Sequence, residues 1–177
     1  MAHTTFESLP DSSKLWVVGL ASPLKRDQIQ SLEDSLTHLL ATWTHKGQLY
    51  APAYKILFDQ VILIAEESMA HQASGCAIDG LMRKFGTIMN HLSVETVNPA
   101  QSILWTNDES AYRVNAKTDI PRLIHNDLLK PSSLLADFSL ETLGKFRTQG
   151  LFKRCSTTWL GRKYFQESIL TEIETKH

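Results

Sequence analysis

Leu49-Tyr-Ala-Pro-Ala-Tyr-Lys-Ile-Leu-Phe58, then Asp59-Gln60, then Val61-Ile-Leu-Ile-Ala65 is the stretch that decides the fold. Two apolar runs flank two polar residues, which is the length of a tight hairpin turn, although Asp-Gln lacks the usual glycine. Val61 to Ala65 is apolar without alternation, which suits a central strand covered on at least one face. Pro52 has no N–H to give a ladder and belongs near a strand start or at an edge.

Outward from this hairpin the period changes on both sides. Upstream, Ile29, Leu32, Leu36, Leu39, Leu40 and Trp43 recur at three- and four-residue steps. That spacing predicts an amphipathic helix opened near Ser22-Pro23 and ended by Gly47. Before it, Lys14 to Leu20 (KLWVVGL) is short, apolar and rich in β-formers, and reads as a strand. Downstream, Ile78, Leu81, Met82, Phe85, Ile88, Met89 and Leu92 make a helical stripe over Ser74 to Leu92. Gly80 and Gly86 weaken that helix by about 1 kcal/mol each relative to alanine, and close packing against a sheet is their expected reason. Ser102 to Thr106 (SILWT) and Ala111 to Asn115 read as strands on either side of the turn Asn107 to Ser110. The order β-α-β-β-α-β predicts an α+β, ferredoxin-like sandwich, two helices on one face of a four-stranded antiparallel sheet.

Residues 1–13 are polar and read as a loose N-terminal lead, 14–115 as the sandwich core, and 116–177 as a C-terminal helical extension packed on it. In that extension, Thr118-Asp119-Ile120-Pro121 marks a helix entry running to about Leu129. An apolar segment follows at Leu134 to Phe138, and a further helix over Ser139 to Gln149 ends at Gly150.

Composition narrows the function classes. The chain has 177 residues, with 18 Lys and Arg against 19 Asp and Glu, a net charge of -1. That balance argues against a dedicated polyanion binder, though not against a local basic patch. Cys76 and Cys155 are too few for a disulfide framework or a Cys-rich zinc site. Val61 to Ala65, the longest apolar run, falls far short of the roughly 20 residues of a membrane helix. Met1 to Pro10 lack the layout of a signal peptide, so the expectation is a cytoplasmic protein with reduced thiols and no membrane contact. Neither G-x-x-x-x-G-K-[ST] nor G-x-G-x-x-G occurs, which excludes P-loop ATP hydrolysis. No cofactor and no metal are expected.

The segment His71-Gln-Ala-Ser-Gly-Cys-Ala-Ile-Asp79 carries the most chemistry. With Ser74 as cap, Cys76 falls in the first helical turn, where the helix dipole lowers a thiol pKa. The free amides of Ser74, Gly75 and Cys76 could also hold a carboxylate or phosphate. Asp79 stands one turn further on, and His71 precedes the helix as a base for a Cys76 nucleophile. The plain alternative is a tight strand-to-helix turn, with a small thiol filling a gap. A second feature lies between Gly144 and Phe165. There Lys145, Arg147, Lys153, Arg154, Arg162 and Lys163 interleave with Phe146, Phe152, Trp159, Tyr164 and Phe165, with no acidic residue. Cations beside stacking rings suit single-stranded nucleic acid, with Lys153, Arg154, Trp159, Arg162 and Lys163 as the contacts. The same aromatics could instead anchor the tail to the core or form a homodimer surface.

Ser74-Gly-Cys-Ala-Ile-Asp79, between an apolar strand and an apolar helix, resembles the signature of a family of small bacterial proteins of unknown function, often labelled "ABC transporter ATPase". Its pattern is a Trp with His-Gly ending the first helix, an apolar strand, Ser-Gly-Cys-Ser-Ile-Asp, and a tryptophan-containing segment near the C-terminus. The matching pieces here are Trp43 with His45 and Gly47, Ser74 to Asp79, and Thr158-Trp159. His45 stands one position early, and Ala77 replaces the usual Ser. The resemblance implies no known activity, and the missing phosphate loop speaks against the ATPase label.

Three readings follow. The first, which asks least of the sequence, is a binding module holding a small anion or a protein partner at Ser74-Gly75-Cys76. The second is a thiol enzyme with Cys76 as nucleophile. The third is an RNA-binding accessory protein using the basic aromatic tail.

Overall fold

The computed structural model describes residues 5–45, 48–49, 52–66, 75–108 and 110–166. The fold is mixed α+β, with antiparallel sheets and five α-helices among the described residues. The chain divides into two compact units, Met1–Thr96 with Phe138–Thr148, and Val97–Asp137 with Gln149–His177.

In chain order the first unit begins with β1 (Lys14–Gly19), α1 (Arg26–Ala41) and the two-residue strands β2 (Thr44–His45) and β3 (Gln48–Leu49). β4 (Pro52–Leu57), β5 (Val61–Glu66) and α2 (Gly75–His91) follow. β5 lies between β1 and β4 and is antiparallel to both. All six of its residues are buried, because both faces of this sheet are covered. Ile62 and Ile64 share one cluster with Leu32 and Leu36 of α1 and Leu81, Phe85 and Met89 of α2. On that face Trp16 meets Trp43 edge to face at 6.3 Å. Leu15, Ala53 and Leu63 alternate to the opposite face. There Lys55 pairs with Glu7 at 2.8 Å, and Phe6 meets Phe146 at 6.4 Å.

Several expectations need correction. Residues 5–13 are not a loose lead, since Phe6, Leu9 and Ser13 are buried, the two apolar side chains helping to close the second face. α1 stops at Ala41, not Gly47; Trp43 is buried beyond the helix end, and β2 pairs with β3. The hairpin turn is centred on Phe58-Asp59, whose φ angles are 54° and 53°, one residue earlier than expected. Gln60 is needed inside: its carbonyl accepts the Leu20 N–H at 2.9 Å and its side-chain amide donates to the Leu20 carbonyl at 3.1 Å. Gly80 and Gly86 are not packing sites, because a Cβ at either would meet nothing within 4 Å.

The larger correction concerns the fourth strand. A crossover from β5 through α2 should lay it beside β1. Thr96 does form one antiparallel bridge there, with Leu20, but the pairing stops. Asn98-Pro99 turns the chain: the Gln101 and Ser102 N–H groups donate to the Asn98 carbonyl at 3.0 and 2.8 Å, and Pro99 has no N–H for a ladder. Ser102–Thr106 (β6) instead pairs with Arg113–Ala116 (β7), the expected strand at 111–115. The second unit continues through α3 (Ile120–His125) and β8 (Leu134–Ala136). After α4 (Leu143–Gln149), the chain adds β9 (Phe152–Arg154) and α5 (Trp159–Tyr164). Its sheet has the order β7-β6-β8-β9, and neither β9 nor α5 was anticipated. Ile103, Trp105 and Leu135 pack there with Ile120, Leu123, Leu160 and the buried Cys155. The division therefore does not fall at residue 116: 97–116 lies in the second unit, and 138–148 returns to the first.

Candidate functional site

The open side of β1 frames the candidate site. At one end Lys14 and Thr142 form a bridge, with the Leu15 N–H donating to the Glu141 carbonyl and the Leu143 N–H to the Ser13 carbonyl, both at 2.9 Å. At the other end the Ala21 N–H donates to the Glu95 carbonyl at 2.8 Å. Between these points no such pairing continues among the described residues, and a cleft of about 750 Å3 opens between β1 and residues 138–142. Trp16, Val17 and Val18 line one wall, Phe138 and Leu140 another, and Ile78 and Met82 close it from the first two turns of α2. Its size lies within the range of pockets that hold small ligands.

Two charged groups border the cleft, and they differ in how they are balanced. Glu141 is exposed and pairs with Lys145 at 3.3 Å. Lys14 makes no ion pair among the described residues. Directly opposite it in the ladder is Glu66, 2 % exposed, with an Oε1 that accepts no hydrogen bond among the described residues. Burial pushes the Glu66 carboxyl above its ordinary value, and the Lys14 ammonium opposes the shift only in part.

Of the residues singled out by sequence, His71, Ser74 and the Cys76 thiol lie outside the described residues. Gly75 and Cys76 open α2, and Asp79 is exposed on that helix. The start of α2 thus precedes by one turn the side of the helix that lines the cleft. Cys155 is buried in the second unit's core, and burial pushes its thiol pKa up to about 12. Among the described residues no group of three or more His, Cys, Asp or Glu side chains could hold a metal ion, and no helix is long and apolar enough to cross a membrane. Sequence reasoning missed Lys14, Glu66 and the 138–142 wall. Lys14 was legible only as the charged first residue of an apolar strand, and Glu66 only as the first charge after Ala65.

The basic tail is balanced in space more than in sequence. Lys145 pairs with Glu141, Arg147 with Asp11, and Lys153 with Asp137 at 2.6 Å. Arg154, Arg162 and Lys163 are exposed, the last lying 5.1 Å from the Tyr164 ring. Phe165 is buried and Trp159 half-buried against the second unit's core, as anchors would be. Compared with protein-family models, curated proteins and solved structures, the chain matches none.

Proposed function

We propose that the protein is a binding module whose first unit holds a carboxylate-bearing ligand in the cleft between β1 and α2. The observation that carries this reading is an open cleft of about 750 Å3 bordered by an ammonium group without an ion-pair partner among the described residues. Of the described acids beside it, Glu141 is engaged by Lys145, and Glu66 is buried with its pKa raised. A ligand carboxylate would complete the charge balance. Gly75 and Cys76 open α2 one turn before Ile78, and the positive end of that helix dipole favours an anion on its side of the helix. Kinship with the small bacterial family suggested by Ser74 to Asp79 is part of this proposal and adds no activity to it.

The fold reading carries over in a narrower form. The first unit is proposed as a ferredoxin-like sandwich without its fourth strand: β1-β5-β4 with α1 and α2 on one face supports it. The cleft then occupies the place where that strand would lie.

N-acetyl-L-valine, a small carboxylate with an apolar side chain, tests the site. Added at millimolar concentration, it should shift the backbone amide resonances of Leu15 to Val18 and of Ile78. Replacing Lys14 by Met should weaken binding at least 10-fold. Shifts confined to other regions, or identical affinity in Lys14→Met, would count against the reading.

A further inference from the structure

The alternation of β1 fixes which backbone groups face the cleft. The Leu20 N–H points to β5, where it donates to the Gln60 carbonyl, whereas the Leu15 and Ala21 N–H groups point the other way, to Glu141 and Glu95. The period of two therefore turns the N–H and C=O of Val17 outward as well, and their direction excludes β5 as partner. No partner is found for them among the described residues. They lie midway along the cleft, with apolar side chains on both faces: Trp16 and Ile78 on the helix side, Leu140 on the other.

An outward N–H and C=O on one residue are matched by the backbone of another strand, which supplies an acceptor and a donor at the same spacing. The bridge between Lys14 and Thr142 limits what that strand can be. Thr96 holds the position beside Leu20 at the far end, which confines an added strand to the stretch beside Leu15 to Gly19. Thr142 already holds the position beside Lys14, so the strand cannot run past it. For a strand antiparallel to β1, the end that stops there is its C-terminus. The cation at that end is Lys14. We propose that the cleft binds the C-terminal residues of an extended peptide, added as an antiparallel strand to the edge of β1 at Val17, with its terminal carboxylate at Lys14.

This inference rests on the carboxylate-binding reading above and deepens it by naming the ligand class. Its test uses the whole chain and acetyl-Thr-Val-Thr-Val-Val with a free C-terminus. Two controls are the C-terminal amide of that peptide and the same peptide N-methylated at its second valine from the C-terminus. Binding of the free acid should slow hydrogen exchange of the Val17 amide at least 10-fold and give cross-strand contacts between the Val17 and peptide backbones. Amidation and N-methylation should each weaken it at least 10-fold. If N-acetyl-L-valine binds at Lys14 but the peptide binds no more tightly and leaves Val17 exchange unchanged, strand addition is wrong while the carboxylate site stands. If neither binds, both readings fall. A peptide that protects Val17 equally well in acid and amide forms would overturn the C-terminal assignment.

Discussion

Glu66 occupies a position where a carboxylate is costly: it is buried, its Oε1 accepts no hydrogen bond among the described residues, and the Lys14 charge opposite it relieves the shift only in part. Its pKa is raised above the ordinary 4.5, which fixes the sign of its effect on stability. Below 4.5 folded and unfolded chains both keep the proton. As pH rises from there toward the raised value, only the unfolded chain releases it, so this group's contribution to stability is lost. Glu66→Gln should therefore gain on the parent protein as pH climbs, with the difference in urea midpoint smallest near pH 4. A constant difference from pH 4 to pH 8 would show that the carboxyl does not titrate abnormally. None of this could be read from the sequence. In sequence Glu66 reads as the charged end of an apolar strand, and only the structure shows it to be buried.

At the scale of elements, periodicity was a good guide to faces and a poor one to ends. The stripes from Leu32 to Leu40 and from Leu81 to Met89 pack as their spacing indicates, and Ser102–Thr106 has the expected limits. What spacing could not say is which sheet a strand joins, because SILWT is equally apolar beside β1 or beside β8. Short elements escaped for a similar reason. α5 has six residues and is held by one cap, the Thr158 hydroxyl accepting the Leu160 N–H at 3.2 Å, and by close backbone contact at Gly161. A Cβ on Gly161 would lie 2.0 Å from the Ser156 carbonyl oxygen and 2.9 Å from its Cα. Backbone cannot move aside as a side-chain tip can, so Gly161→Ala should cost at least the ~1–3 kcal/mol typical of overpacking. In α2, where nothing stands within 4 Å, Gly80→Ala should instead gain up to about 1 kcal/mol from helix propensity. Chemical denaturation of the two variants gives the comparison, and shifts of the same sign would refute the packing argument.

At the scale of the whole molecule, the chain alternates between its two units. Residues 138–148 belong to the first unit, yet β6, β7, α3 and β8 of the second come before them. Composition and spacing place one core, over 14–115, with an extension packed on it; neither the second core nor this return is legible, since Leu140, Leu143 and Phe146 look like any amphipathic turn until their burial is known. A fragment ending at Thr96 should accordingly fail to fold: it lacks Leu140 and Leu143, both buried, and the Phe146 ring that meets Phe6. A dispersed amide spectrum from residues 1–96 would disprove the dependence. The return also sets an order of events during synthesis. The first unit's own leading 96 residues are finished well before it can close, because its last piece ends at Thr148, 52 residues later. At cellular elongation rates that is a wait of ~3–10 s with Leu15 and Leu63 uncovered on one face of the sheet. The nascent chain would thus be most in need of a chaperone midway through translation, when its length already suggests a finished domain.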